Sequence, residues 1–83
     1  MTRVDVRSLA CPMTWVKTRI ALEPLPPGAA LEVLLREGEP LESVPRTAEE
    51  EGHTVAARAP APDEGAGIWR VVLVKGLPPD EPF

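Results

Sequence analysis

The run Ile68-Trp69-Arg70-Val71-Val72-Leu73-Val74-Lys75 is the most strand-like stretch in the 83-residue chain, and it narrows the choice of fold more than any other. Its dense β-branched and apolar character predicts a central strand covered on at least one face. A chain of this length holds one domain. What covers the strand must therefore come from the same short sequence, and Pro and Gly cut that sequence into pieces.

Arg3-Val4-Asp5-Val6 alternates polar and apolar residues and reads as a first strand. From Pro12 to Leu22 the pattern turns helical, with Met13, Val16 and Ile20 on one apolar stripe expected to face the core. Thr14, Lys17 and Thr18 lie off that stripe. Pro24 stops the helix, and Leu25-Pro26-Pro27-Gly28 makes a stiff turn. Ala30 to Arg36 is the second strand, with Leu31, Val33 and Leu35 on one face and Glu32 and Leu34 on the other.

After Gly38 and Pro40, Leu41 to Glu51 reads as a second helix whose inner stripe is Leu41, Val44 and Ala48. Pro45 leaves two possibilities: the helix starts near it, or the first turn is irregular. Gly52 suits a left-handed C-terminal cap. Thr54 to Arg58 is a third strand, with Val55 and Ala57 on one face. Pro60 to Gly67 has the composition of a mobile hairpin loop. Leu77 to Phe83 is Pro-rich and acidic, and is expected to be a flexible tail after a single domain over residues 1–76. The order is β-α-β-α-β-β. It predicts an α+β fold, a two-layer sandwich with two helices on one face of a four-stranded mixed sheet.

The formal net charge of −4 argues against direct nucleic-acid binding, which needs clustered Lys and Arg. No apolar run is long enough to cross a membrane, and no signal peptide is visible at the start, so the cytoplasm is the expected location. A single cysteine rules out a disulfide framework within the chain and a multi-cysteine zinc site. His53 with that one Cys and scattered acids is a poor metal site, and it reads as a capping or surface residue. Asn, Gln and Tyr are absent while Pro is abundant. This fits a heat-adapted bacterial source, or equally a GC-rich genome.

Cys11-Pro12 carries the chemistry. Pro suits the first helical position, which would place Cys11 at the N-cap of the first helix. There the helix dipole lowers a thiol's pKa from its usual value of about 8.5, and the thiolate is the reactive form. Arg7 or Lys17 would add to the effect if either folds near. The same N–H groups suit a persulfide anion. The competing reading is a buried, inert cysteine, the commoner fate of a lone Cys. Trp15 lies off the apolar stripe, either exposed beside the sulfur as an interface anchor or packed on the sheet edge. Trp69 is expected in the core.

Asp5, Ser8, Cys11-Pro12, Lys17 and Leu22 resemble the opening of the TusA/SirA-like sulfur-carrier proteins, whose pattern is Asp-x-x-Gly-x-x-Cys-Pro-x-Pro followed by a helix. Gly28 with Leu31-Glu32-Val33, Ser43-Val44-Pro45, Gly52-His53 and the closing strand to Lys75 extend the resemblance from Val4 to Lys75. Ser8 stands where the family has glycine, and Thr14 where it has the second proline. Ser8 can still make a turn, and Thr14 brings a hydroxyl near the sulfur. The resemblance implies that Cys11 accepts sulfane sulfur as a persulfide, with Pro12, Thr14, Trp15, Lys17 and Arg7 in support. It also implies a sulfur-donor protein, a cysteine desulfurase or rhodanese-like, and an acceptor protein in tRNA thiolation, cofactor synthesis or sulfur oxidation. Neither a metal nor a cofactor is called for, and a monomer or weak dimer is expected. The alternatives are a binding or regulatory module of the same fold, and a redox sensor in which Cys11 is oxidised.

Overall fold

The computed structural model describes residues 2–10 and 13–76. The expectations for Cys11, Pro12 and the 77–83 tail lie outside the described residues. Strands β1 (Thr2–Asp5), β2 (Ala30–Arg36), β3 (Thr54–Pro60) and β4 (Ile68–Val74) form one sheet in the order β1-β2-β4-β3. β1 runs parallel to β2, and β4 is antiparallel to both of its neighbours. The strand predicted to be central is central.

Two helices, α1 (Met13–Leu22) and α2 (Glu39–Glu50), connect the first three strands. Both pack into one cluster in which Leu22, Val44 and Ala48 meet Val4, Leu31, Val33, Leu35, Val71 and Leu73. The register places Leu31 opposite Leu73, Val33 opposite Val71 and Leu35 opposite Trp69, so these residues share the helix-facing side. Trp69 is half-buried against this core rather than inside it. The α+β two-layer sandwich follows: one sheet face bears the helices and the other does not.

Helix α1 docks on the side opposite to the one its apolar stripe suggested. Thr14, Thr18 and Leu22 are buried at i, i+4 and i+8, while Met13, Val16 and Ile20 point outward. The cause is chemical. The Thr18 hydroxyl donates to the Thr14 carbonyl at 2.7 Å, so it enters the core already bonded and presents its methyl group to the packing. At the far end, the Lys75 ammonium donates to the Leu22 carbonyl at 2.8 Å and the Glu23 carbonyl at 3.3 Å, satisfying carbonyls that a helix end leaves open.

Helix α2 starts at Glu39, with Pro40 in its first turn, and runs through the buried Pro45. The possibility that the helix begins near Pro45 is therefore set aside. It ends as expected: Gly52 has φ 94°, its N–H bonds the Glu49 carbonyl, and the His53 N–H bonds the Ala48 carbonyl. This pair of bonds is the Schellman arrangement. His53 thus acts as a capping residue, and its Nδ1 also accepts from the Gly76 N–H at 3.0 Å.

Two further expectations change. In β3 the register slips between Val55 and Ala57, so Val55 opposes Leu73 while Ala57 opposes Val72. The bulge breaks the period-two alternation, and Ala57 is exposed rather than sharing the half-buried side of Val55. The 60–67 stretch contains a 3-10 turn, Pro62–Glu64, held against the helix-free sheet face. Ala61, Leu34 and Ile68 are buried outside the main cluster. Composition alone suggested a mobile loop there; ion pairs from distant strands fasten it instead.

Candidate functional site

The segment from β1 to α1 is anchored residue by residue. The Val6 amide bonds the Leu34 carbonyl at 3.0 Å, and the Leu9 amide bonds back to Val6 at 3.1 Å. Leu9 rests half-buried on the core. Arg36 Nε donates to the Arg7 carbonyl at 2.9 Å. The Ala10 carbonyl then accepts from Met13 at 2.8 Å and from Thr14 at 3.3 Å, which is where the hydrogen-bond ladder of α1 begins. Cys11 and Pro12 stand in the sequence between these two tied residues and lie outside the described residues. Ser8 and Ala10, just before them, are exposed.

Arg7 holds this segment through its side chain. Its Nε and Nη2 donate to the two Asp5 carboxylate oxygens at 2.9 and 2.6 Å, and Nη1 reaches the Glu64 carbonyl at 2.8 Å. The Arg7 backbone N–H adds a bond to Asp5 Oδ1 at 3.0 Å. These bonds, led by the guanidinium, pull the Asp5 carboxyl down to about 2 and raise the Arg7 pKa. The cation expected to favour a nearby thiolate therefore has its charge shared with Asp5 and Glu64. Its visible work is positioning.

Glu64 is central to that work. Its carboxylate lies 3.6 Å from Arg7, 3.7 Å from Arg3 and 3.5 Å from Arg70. Glu32, on β2, pairs with Arg3 and Arg70 on the same face. The charges therefore alternate across the helix-free face and clip the 3-10 turn to the strands and to the segment before Cys11. Sequence reading missed Glu64, because no local signal in a Pro- and Gly-rich stretch announces a partner 57 residues away.

The remaining expected site residues lie on α1. Thr14 is fully buried, with Thr18 and Leu22 on the buried side of the helix. Trp15 is half-buried against the core. Lys17 is exposed and, among the described residues, forms no ion pair. Burial and the nearby Lys75 ammonium push the His53 pKa down, which suits its role as a neutral acceptor. A surface cleft of about 450 Å³ is lined by Glu39, Glu42, Ser43, Arg46 and Arg58, none of them an expected site residue. Among the described residues no cluster of His, Cys, Asp and Glu could hold a metal, and no helix is long and apolar enough to cross a membrane.

A βαβαββ sandwich with both helices on one face of a mixed four-stranded sheet is a SirA-like fold. The crystal structure of a SirA-like protein from Desulfitobacterium hafniense superposes with a TM-score of 0.71 over 93% of this chain and 100% of that one, at 22% identity. The chain belongs to the TusA family: the family model "Sulfurtransferase TusA" matches residues 2–75. Two archaeal relatives assigned by name as sulfur carriers agree. One, from Archaeoglobus fulgidus, is 31% identical over 72 residues, covering 87% of this chain and 78% of its own. The other, from Methanocaldococcus jannaschii, is 36% identical over 75 residues, covering 90% and 95%.

Proposed function

We propose that this protein is a sulfur carrier that accepts sulfane sulfur on Cys11 and hands it to an acceptor protein. The observation that carries the reading is the position of the chain's sole cysteine in a TusA-family match spanning residues 2–75, in sequence between Ala10 and Met13, which bond each other where α1 begins. The backbone N–H groups of a helix's first turn have no partners within the helix and favour an anion, whether thiolate or persulfide.

The exchange is balanced with thiolates alone. The Cys11 thiolate attacks the outer sulfur of a donor's cysteine persulfide. The donor's S–S bond breaks as the new S–S bond forms, and the donor cysteine leaves as a thiolate. Attack by an acceptor thiolate on the outer sulfur of Cys11 persulfide then restores the Cys11 thiolate. No net oxidation occurs at either step. Donor classes that fit are a cysteine desulfurase or a rhodanese-like protein; acceptor classes are those of tRNA thiolation, cofactor synthesis or sulfur oxidation. Arg7, Pro12, Thr14, Trp15 and Lys17 serve as positioning and contact residues around the sulfur.

Intact-mass spectrometry after incubation with a sulfur donor tests the reading. Gain of one sulfur atom, abolished by Cys11→Ser, is the expected result. No adduct with any donor, together with alkylation as slow as that of a free thiol, would overturn it.

A further inference from the structure

Glu64 stands where three arginines from distant parts of the chain converge. Its carboxylate lies 3.7 Å from Arg3 on β1, 3.6 Å from Arg7 and 3.5 Å from Arg70 on β4, and its backbone carbonyl accepts from Arg7 Nη1 at 2.8 Å. The side chain is only 21% exposed, so salt screens these charges less than those of a free surface pair. The turn that carries Glu64 is itself fixed. The Ala61 N–H bonds the Ile68 carbonyl at 2.8 Å, the Glu64 N–H bonds the Ala61 carbonyl at 2.9 Å, and Ala61 is buried.

The Arg7 guanidinium has two kinds of partner. Asp5, two residues back, ties it to its own strand. Glu64 ties it to the turn between β3 and β4, 57 residues on. Past Arg7 only Ser8, Leu9 and Ala10 precede Cys11.

We infer that Glu64 is a positioning residue for sulfur transfer: acting through Arg7, it fixes the turn over residues 6–10 and so sets where Cys11 meets the first amides of α1. The inference rests on the carrier reading and adds to it a residue outside the cysteine's own segment. Open amides stabilise a thiolate only at hydrogen-bond range, so a displacement of about 1 Å in the segment leading to Cys11 weakens the effect.

The direction of the change separates positioning from plain charge. Removing a carboxylate acts through space to lower the pKa of a neighbouring thiol. Loss of positioning takes Cys11 away from the amides and raises its pKa toward the ordinary value of about 8.5.

The experiment follows the pH profile of alkylation by iodoacetamide, which reads the chain's one cysteine, together with the rate of loading by inorganic polysulfide at neutral pH. The chains compared are wild type, Glu64→Ala, Arg7→Lys, the double variant and Asp63→Ala. Arg7→Lys keeps the charge, but an ammonium cannot span Asp5 and Glu64 as the guanidinium fork does. Asp63 shares the turn and pairs with Arg70 at 3.5 Å, yet it is 68% exposed and, among the described residues, forms no ion pair with Arg7. The expected result is a midpoint raised by about half a pH unit in Glu64→Ala and in Arg7→Lys, the size of a helix-terminus effect. The double variant rises no further, as two residues acting in one chain of contacts require. Asp63→Ala keeps the wild-type midpoint. The thiolate fraction at neutral pH then falls about threefold, and because a more basic thiolate attacks faster, loading slows about twofold.

A midpoint unchanged or lowered in Glu64→Ala would overturn the proposal. So would additive rises in the double variant, an equal rise in Asp63→Ala, or a wild-type midpoint already at about 8.5. Should Glu64→Ala not fold, Arg7→Lys carries the comparison, and a wild-type midpoint there overturns the proposal. Uptake of sulfur by none of the chains, with the midpoints shifted as expected, overturns the carrier reading but leaves Glu64 as the residue that positions Cys11.

Discussion

Lys75, just past the end of the central strand β4, donates its ammonium to the Leu22 carbonyl at the last residue of α1, at 2.8 Å. One side chain thereby satisfies an open helix end, complements its dipole and fixes α1 to the sheet. The helix that begins after Cys11 is held at its far end by a residue 53 positions away.

Replacing Lys75 by Met keeps the aliphatic stem and removes the donor. The expected loss is about 1 kcal/mol of folding stability, read as a lower urea midpoint with an unchanged slope. An unchanged midpoint would show that water replaces the ammonium at no cost.

Gly76 tests how closely the strand end approaches the α2 cap. A Cβ at this position would fall within the van der Waals envelope of the Gly52 carbonyl oxygen, which is backbone and cannot rotate aside. Gly76→Ala is expected to lower stability by about 1–3 kcal/mol, the usual range for overpacking. Alanine tolerated without loss would mean that the two segments sit farther apart.

The orientation of α1 has its own test. Leu22→Ala empties a fully buried site and is expected to cost about 2–5 kcal/mol. Ile20→Ala, on the exposed ridge, is expected to stay within about 0.5 kcal/mol of wild type. Chemical denaturation of both variants decides, and the reverse ranking would restore the orientation that the apolar stripe suggested.

That stripe shows where sequence reading reached its limit. Ala30–Arg36, the central place of β4 and the Gly52 cap were all legible, because strand alternation, β-branching and the left-handed glycine are local signals. The face of α1 was not. Thr14 and Thr18 count as polar in any hydrophobic pattern, yet Thr18 bonds the Thr14 carbonyl and buries its methyl. The more apolar Met13, Val16 and Ile20 were left outside. The clip formed by Glu64 was equally hidden, since its partners Arg3, Arg7 and Arg70 come together only once the sheet has formed. Cys11-Pro12 pointed to a candidate site, but the anchoring of the segment before it by Arg7, Leu9 and Arg36 was not legible.

Asp5 gives the chain a defined acid response. Arg7 holds its folded-state pKa at about 2 against an ordinary 3.8. A depressed carboxyl pKa stabilises the fold above the unfolded value, and that contribution is lost as pH falls from about 3.8 through about 2. The side chain is 48% exposed, so salt screens part of the effect. Asp5→Asn is expected to flatten the decline of stability across this pH window, measured by denaturation at low ionic strength. A decline as steep as in wild type would assign the acid sensitivity to other carboxylates.

The central claim is that Cys11 holds transferable sulfur, and cyanolysis reads it directly. Cyanide attacks the outer sulfur of a persulfide, taking it as thiocyanate and leaving the cysteine thiolate. Carrier loaded by a donor and freed of it should release about one thiocyanate per chain, as the attack of a nucleophile on the terminal sulfur requires. Cys11→Ser, treated in the same way, should release none. Thiocyanate absent from the wild type, or released equally by Cys11→Ser, would contradict the account.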